Sequence, residues 1–397
     1  MDNIIFGDTR ENNAKTLFNS EDGETIYSGL NHSCKYFETD EFQNMTRNCI
    51  NQLSIFSLNI RSLPNKFNEL KNYLSELNHG KFKFSVIGIS EVWSLPNNIN
   101  FSLPGYSKIE FKIRDQKNNK NTTGGGVAFF IDEDMEYEIM ENHSIFIPHV
   151  FESIFVKVKI SHNKYSVIGN IYRPNTAPLG NLNHFNDILS ELITKIKKDH
   201  SLKSDELTLI GDKNVNLLQY LNHKETSNYV DILLNNELLP LIVLPTRVTQ
   251  KTASIIDHIS TDIKDTNLNS GILINHLSDH FPVFYIKSGK TEKRKNTTTK
   301  TRVINENSKN SFKNLLKDFT WDEVTQENDP KKSFSNFFSV FNVAFNSSFP
   351  EIDKKPNKNT LRINPWMTQG LLKSRKKKEQ LFSRKLKNPT NFNIEKF

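Results

Sequence analysis

Leu277-Ser278-Asp279-His280 decides the fold of this chain when it is set beside Gly211-Asp212-Lys213-Asn214 and Ile256-Asp257-His258-Ile259. Each stretch abuts an apolar, β-branched run of the kind that forms buried strands. Carboxylates and an imidazole are therefore displayed at strand ends rather than scattered over a surface.

Outward from these stretches, Ser54-Ile55-Phe56-Ser57-Leu58-Asn59-Ile60 alternates as a half-buried strand, and Phe84-Ser85-Val86-Ile87-Gly88-Ile89-Ser90 reads as a more buried one. Between them Ser62-Leu63-Pro64 resembles a helix start, and Phe67, Leu70, Leu74 and Leu77 recur on one helical face. Further strands are expected at Val127 to Ile131, Ser153 to Ile160, Tyr165 to Tyr172, Leu207 to Gly211, Ser254 to Ser260 and Pro282 to Ile286. One more helix carries Phe185, Ile188, Leu189, Leu192 and Ile196, and another runs from about Ser227 to Leu238. Several neighbouring strands are joined too briefly for helical crossovers, which calls for hairpins and mixed sheets. The expected architecture is α/β (α+β): two mixed sheets face to face, helices outside, a four-layered α/β/β/α sandwich.

A chain of 397 residues suits one large domain with flanking segments, and 36% apolar content implies a local core diluted by polar ends. Residues 1–50 lack a sustained period and read as a polar, disordered leader; 51–288 form the domain; 289–397 form a basic linker and helical connector. Lys+Arg 52 against Asp+Glu 45 gives +7, with the excess after Lys287 in Lys293-Arg294-Lys295 and Arg375-Lys376-Lys377-Lys378. That field attracts polyanions, and equally serves as a solvated helix face. Phe334, Phe337, Phe338, Phe341 and Phe345 mark one face of a helix that either docks on the core or awaits another domain. Cys34 and Cys49 have neither metal-ligand nor disulfide spacing and read as free thiols in a reducing compartment. No secretory signal or run of membrane-spanning length is present, so the expected setting is intracellular, without a membrane.

Hydrolysis of a phosphodiester needs a cation on the non-bridging oxygens, a base or orienting group for water, an acid for the leaving oxygen and donors for developing charge. Glu91 and Asn59 end adjacent parallel strands and offer the hard oxygen ligands that suit Mg²⁺, with Mn²⁺ as its substitute. Asp279 points away from its neighbour His280 along an extended chain and is a further metal candidate. Asp212 and Asn214, two residues apart, can face one side of an extended segment, although an isolated match reads equally as an Asx turn. Asp257 and His280 form the expected dyad, the carboxylate fixing the tautomer and raising ring basicity. Tyr172 supplies a phenol donor; Arg173 and Ser278 are candidates for phosphate. His258 and His276 read as structural, and Gly124-Gly125-Gly126, followed at once by a strand, reads as a turn rather than a phosphate loop.

The order Asn59, Glu91, Tyr172, Asp212-x-Asn214, Asp257, Ser278-Asp279-His280 resembles the endonuclease/exonuclease/phosphatase superfamily. More narrowly, Gly124-Gly125-Gly126-Val127-Ala128, Ile171-Tyr172-Arg173-Pro174, Pro245-Thr246-Arg247 and Ile256-Asp257-His258-Ile259 resemble the apurinic-type endonuclease domain of jockey-like non-LTR retrotransposons, from about Ser54 to Ile286. That resemblance implies a Mg²⁺-dependent endonuclease acting on DNA in the nucleus, leaving a 3′-hydroxyl nick that primes reverse transcription. It also implies a reverse transcriptase following in cis, with Asn364-Pro365-Trp366-Met367-Thr368 as part of the connector and element RNA as a partner of the basic segment. Whether Asp212 or the Asp257–His280 pair is the base stays open. Lys213 replaces the aromatic residue usual in the family and Val92 a small polar one; the lysine is expected to disturb packing beside Asp212. Two alternatives are a catalytically decayed nucleic-acid-binding module and a cellular phosphodiesterase or phosphatase of the same fold.

Overall fold

The computed structural model describes residues 11–13, 33–47, 49, 51–78, 82–96, 100–114, 124–175, 181–202, 205–249, 252–263, 268–289, 299–354 and 368–387. Two compact units result: Met1–Lys293 with Asn359–Phe397, and Arg294–Lys358.

In the first unit the two-residue periodicity of the strands builds two mixed sheets. One has the order Glu11–Asn13, Ser33–Phe37, Leu268–Leu273, Val283–Ser288, Asn51–Asn59, Val86–Ser90, Val127–Ile131, Glu110–Lys112. The other runs Leu239–Pro240, Asp257–Thr261, Glu206–Asp212, Lys164–Tyr172, Phe151–Ser161, Tyr137–Ile139. The expected strand, helix, strand unit is present: Asn51–Asn59 and Val86–Ser90 pair in parallel, joined through helix Leu63–Leu77. Ser62 stands at the cap position of that helix but makes no side-chain cap bond, and Pro64 lies in the first turn.

Alternation sorts each strand between layers. Leu53 and Ile55 enter the core with Val86, Phe129 and Ile168, whereas Phe56 and Leu58 face the opposite way, onto Leu70, Leu74 and Leu77 of the helix. Gly88 lets the sheets meet: a Cβ there would lie 2.4 Å from Ile210 Cδ1. Asn170 crosses the same gap, its Nδ2 donating to the carbonyls of Ile89 and Ala128 at 2.9 and 3.1 Å. Helices Leu182–Lys198 and Lys224–Asn235 cover the second sheet through Phe185, Leu189, Tyr229 and Leu233. The four-layered expectation therefore holds.

The expected leader does not extend to residue 50. Ser33–Phe37 pairs in parallel with Leu268–Leu273, and helix Thr39–Thr46 places Phe42 fully buried against Phe82, Phe84 and Phe284. Burying one such side chain stabilises by roughly 1.5–3 kcal/mol, enough to hold a short polar helix on the sheet. The connector is also divided: helix Gln369–Lys387 belongs to the first unit. Lys293-Arg294-Lys295 and Asn364-Pro365-Trp366-Met367 lie outside the described residues.

In the second unit, strands Thr299–Arg302 and Glu351–Lys354 pair antiparallel beside helices Glu306–Asp318 and Pro330–Ser348. Phe341 and Phe345 of the expected phenylalanine face pack edge-on against Phe312, at 5.5 and 6.0 Å between ring centres, while Phe334 and Phe338 are exposed. Among the described residues no helix is long and apolar enough to cross a membrane.

Candidate active site

Asn59, Tyr172 and Asp212 are the last residues of their strands, and Glu91 follows Ser90 directly. Asp212 and Asp257 are register partners in the antiparallel pairing of Glu206–Asp212 with Asp257–Thr261. His280 precedes Val283–Ser288, which runs antiparallel to Asn51–Asn59, and so arrives at the same end. The topology thus brings together Asn59, Glu91, Tyr172, Asp212, Asn214, Asp257 and His280.

Their hydrogen bonds form one network. Asn59 Nδ2 donates to Glu91 Oε1 and Asp212 Oδ2, each at 2.8 Å, while its Oδ1 accepts from the Arg61 amide at 3.1 Å. In this arrangement Asn59 acts as a donor that bridges the two carboxylates, with its oxygen turned to the Arg61 amide. Glu91 further accepts from the Tyr172 hydroxyl at 3.2 Å and from Trp93 Nε1 at 3.3 Å. Asp212 Oδ1 accepts from the Asn214 amide at 2.9 Å, and Asn214 Nδ2 donates to the Arg173 carbonyl at 2.8 Å. His280 Nδ1 lies 2.9 Å from Asp257 Oδ2 and 4.0 Å from Asp212 Oδ2.

Burial gives these groups unusual ionisation. Asp212 is pushed up to about 7, first by burial and then by Asp257, against the opposing pull of His280, Asn59 and Asn214. For His280 burial acts downward, but Asp257, with Asp212 and Asp279, outweighs it and raises the imidazole to about 9. Burial raises the Tyr172 phenol far above its usual range, with Glu91 and Asp212 adding to it, so the hydroxyl stays a donor.

Arg173, Asp279 and Ser278, the other expected phosphate or metal contacts, each have protein partners. Arg173 is buried, its Nε donating to the Lys213 carbonyl at 2.7 Å and its Nη2 to that of Asn214; it holds the Asp212–Asn214 turn. Asp279 Oδ2 accepts from Arg247 at 2.7 Å and Arg61 at 3.1 Å. Burial would raise its carboxyl, but His280 and the two arginines together hold it below the usual range. Ser278 is 9% exposed, its Oγ 3.4 Å from Asp279 Oδ1. His258 is structural, as expected: Tyr229 donates to Nδ1 at 2.9 Å, Nε2 faces the Ile255 carbonyl at 3.1 Å, and burial pushes the ring down to about 4. Lys213 does not disrupt the turn. Its ammonium points into the core toward the carbonyls of Ile171, Ile210 and Gly211, and burial lowers it to about 7.

Supporting residues outside the expected set complete the site. Thr246 Oγ1 donates to Asp257 Oδ2 at 2.7 Å and accepts from the Ile256 and Asp257 amides, fixing the dyad's carboxylate. Glu152, fully buried, pairs with Arg114 at 2.6 Å and accepts from the Gly126 amide at 2.6 Å. The triple-glycine turn, at φ of 103°, 77° and 88°, in turn accepts from Val92 and Trp93 and so anchors the segment carrying Glu91. Arg61, Ser62, Glu91, Trp93 and Asn214 all adopt positive φ, a concentration of backbone strain around the site. Only Thr246 and the glycines stood in a quoted motif; nothing local in the sequence flags Arg114 or Glu152.

The donor set fits a divalent cation. Glu91 is half-buried, accepts from the neutral donors Asn59, Tyr172 and Trp93, and shares the Asn59 amide with buried Asp212, so hard oxygens and negative charge coincide. Asp212, Asp257 and His280 also present ligand atoms within 4.8 Å of one another. Asp257 and His280 are already bonded to each other, which leaves Glu91 as the better-suited holder.

Fold and site together define a four-layered sandwich with a carboxylate–imidazole cluster at one end of its paired sheets. Among solved structures the chain is similar to the endonuclease domain of TRAS1, a telomere-specific non-LTR retrotransposon, with 12% identity over 59% of this chain and 98% of that one, at a TM-score of 0.43. It is also similar to the AP endonuclease LMAP from Leishmania major, with 11% identity over 70% and 98% and a TM-score of 0.48. A third is an endonuclease/exonuclease/phosphatase family protein from Leptotrichia buccalis, with 14% identity over 60% and 100% and a TM-score of 0.40. No family model and no curated protein matches the chain.

Proposed function

We propose that this chain belongs to the endonuclease/exonuclease/phosphatase superfamily and acts as a divalent-metal-dependent phosphodiesterase that nicks DNA. The observation that carries this reading is the Asp257–His280 pair set 4.0 Å from Asp212, with Asn59 bridging Asp212 to Glu91. Asp257 occupies Nδ1, so Nε2 is the ring nitrogen that can donate to a phosphoryl oxygen or leaving group, and the raised basicity keeps it protonated for that task. Asp212, ionising near neutrality, takes the proton of the attacking water. Tyr172 and Asn214, which here donate to Glu91 and to the Arg173 carbonyl, would donate to non-bridging oxygens of a bound phosphate. Glu91 would hold a divalent cation such as Mg²⁺ or Mn²⁺, which would supply Lewis-acid charge at the phosphate.

The order of sequence motifs supports the finer reading: an element-borne nuclease whose 3′-hydroxyl product primes reverse transcription in the nucleus, with a reverse transcriptase in cis and element RNA as a partner. Supercoiled plasmid tests the activity. Relaxation with Mg²⁺ that EDTA abolishes, and that His280→Ala and Asp212→Ala each slow by roughly 10²-fold or more, is the expected result. Salt-sensitive binding without cleavage would instead establish the decayed binding module. Turnover of a soluble phosphate ester but not of DNA would establish the cellular phosphodiesterase.

A further inference from the structure

The loop that carries His280 is touched from an unexpected direction. Phe382, on helix Gln369–Lys387, meets the rings of Phe281 and His276 edge-on, with ring centres 6.2 and 6.1 Å apart. The same helix presents Glu379 to Asn275, whose Nδ2 lies 3.4 Å from Glu379 Oε1. It is fastened to the domain by Arg375 on Glu76, by Lys376 on Asp40 at 2.9 Å and by Ser383 Oγ on Glu38 Oε1 at 2.9 Å. Both ends of the loop from Asn275 to Phe281 are therefore contacted by one helix.

From this geometry we propose that helix Gln369–Lys387 is a brace for the catalytic loop, with Phe382 as the positioning residue. The route to the chemistry is short. Phe281 follows His280 directly, and its amide donates to the Thr246 carbonyl at 2.7 Å. Thr246 in turn holds Asp257, the partner of His280. Removing the Phe382 ring uncovers one side of Phe281 and loosens the His280–Asp257 geometry, whereas the hydrogen bonds around Glu91 lie on other strands. A chemical step that depends on ring orientation loses rate steeply with small displacements. Helical spacing keeps the rest of the run apart from this role: Lys373, Lys377 and Arg384 lie on the exposed face opposite Phe382.

The inference rests on the proposed nuclease reading, and its test separates the two. In the full chain, Phe382→Ala and Phe382→Leu are compared with wild type by amide hydrogen exchange and by plasmid nicking. Expected for Phe382→Ala are faster exchange confined to Asn275–Phe281, unchanged exchange in Asn51–Asn59, and a fall in kcat of roughly 10-fold or more at constant KM. Phe382→Leu, which keeps an apolar contact, is expected to recover most of both. Unchanged loop exchange in Phe382→Ala overturns the brace, as does faster exchange with wild-type kcat. Inactivity of the wild type toward every phosphodiester overturns the nuclease reading instead, and the brace is then decided by loop exchange alone.

Discussion

Asp212 and Asp257 sit opposite each other across an antiparallel ladder, both 1% exposed, and share the single imidazole of His280. Two buried carboxylates cannot ionise independently, so burial and Asp257 delay Asp212 to about 7 while His280, despite its own burial, keeps its proton to about 9. If Asp212 must be ionised and His280 protonated, the rate rises as pH passes about 7 and falls as it passes about 9. A bell-shaped kcat/KM profile in Mg²⁺ buffers is the expected measurement. Asp257→Asn removes the carboxylate that raises His280, so its alkaline limb moves to lower pH; an unmoved limb would contradict the assignment.

Glu91 is held by Asn59, Tyr172 and Trp93, all neutral donors, and its side chain is the one best suited to bind a cation. Glu91→Gln keeps the shape and removes the charge. The Mg²⁺ concentration for half-maximal nicking is expected to rise roughly 10-fold or more, in the range that metal-site perturbations produce. Isothermal titration with Mg²⁺ reads the same loss without relying on turnover.

Lys213 carries a stability prediction with a definite sign. Burial lowers its folded pKa to about 7 from an ordinary 10.5, so between those values the unfolded chain binds the extra proton and stability rises with pH. Lys213→Met removes the buried amine and its need for carbonyl partners. The variant is expected to melt higher than wild type below pH 7, with the difference shrinking toward pH 10. Each kcal/mol gained corresponds to about 2–4 °C for a domain of this size. Paired melting curves at pH 6 and pH 10 check the sign as well as the size.

What could be read from the sequence follows the range of the interactions involved. Val127–Ile131 and Lys164–Tyr172 are β-branched runs whose periodicity is local, and they fall where expected. Ser33–Phe37 and Leu268–Leu273 are short, and the polar neighbourhood of the first hides a strand whose parallel partner lies more than two hundred residues on. Asn59 was legible as a site residue but not in its orientation, because which end of an amide faces a carboxylate depends on Asp212, far along the chain. Arg173 ends a strand as a phosphate-binding arginine would, yet its partners are carbonyls on a turn some forty residues later. Backbone strain at Glu91 leaves no trace in composition, since glutamate has no preference for φ of 53°.

Arg114 and Glu152 supply the remaining prediction. Their side chains are 6% and 0% exposed, and Glu152 also accepts from Gly126, so removing the guanidinium leaves a buried carboxylate without its counter-charge. Loss of one partner from such a pair typically costs about 3–5 kcal/mol. Arg114→Ala is expected to lower the urea midpoint accordingly at unchanged m. Because the carbonyls of Gly125 and Gly126 bind the Trp93 and Val92 amides, the loosened turn also releases the segment that aims Glu91, so the folded variant should need more Mg²⁺ than wild type. Gly125→Ala strikes the same contact from the other side: its Cβ would lie 2.4 Å from the Arg114 guanidinium at a φ of +77°. Both variants weakening stability and metal use together would establish the turn as the support of Glu91, whereas lost stability with an unchanged Mg²⁺ requirement would confine it to folding.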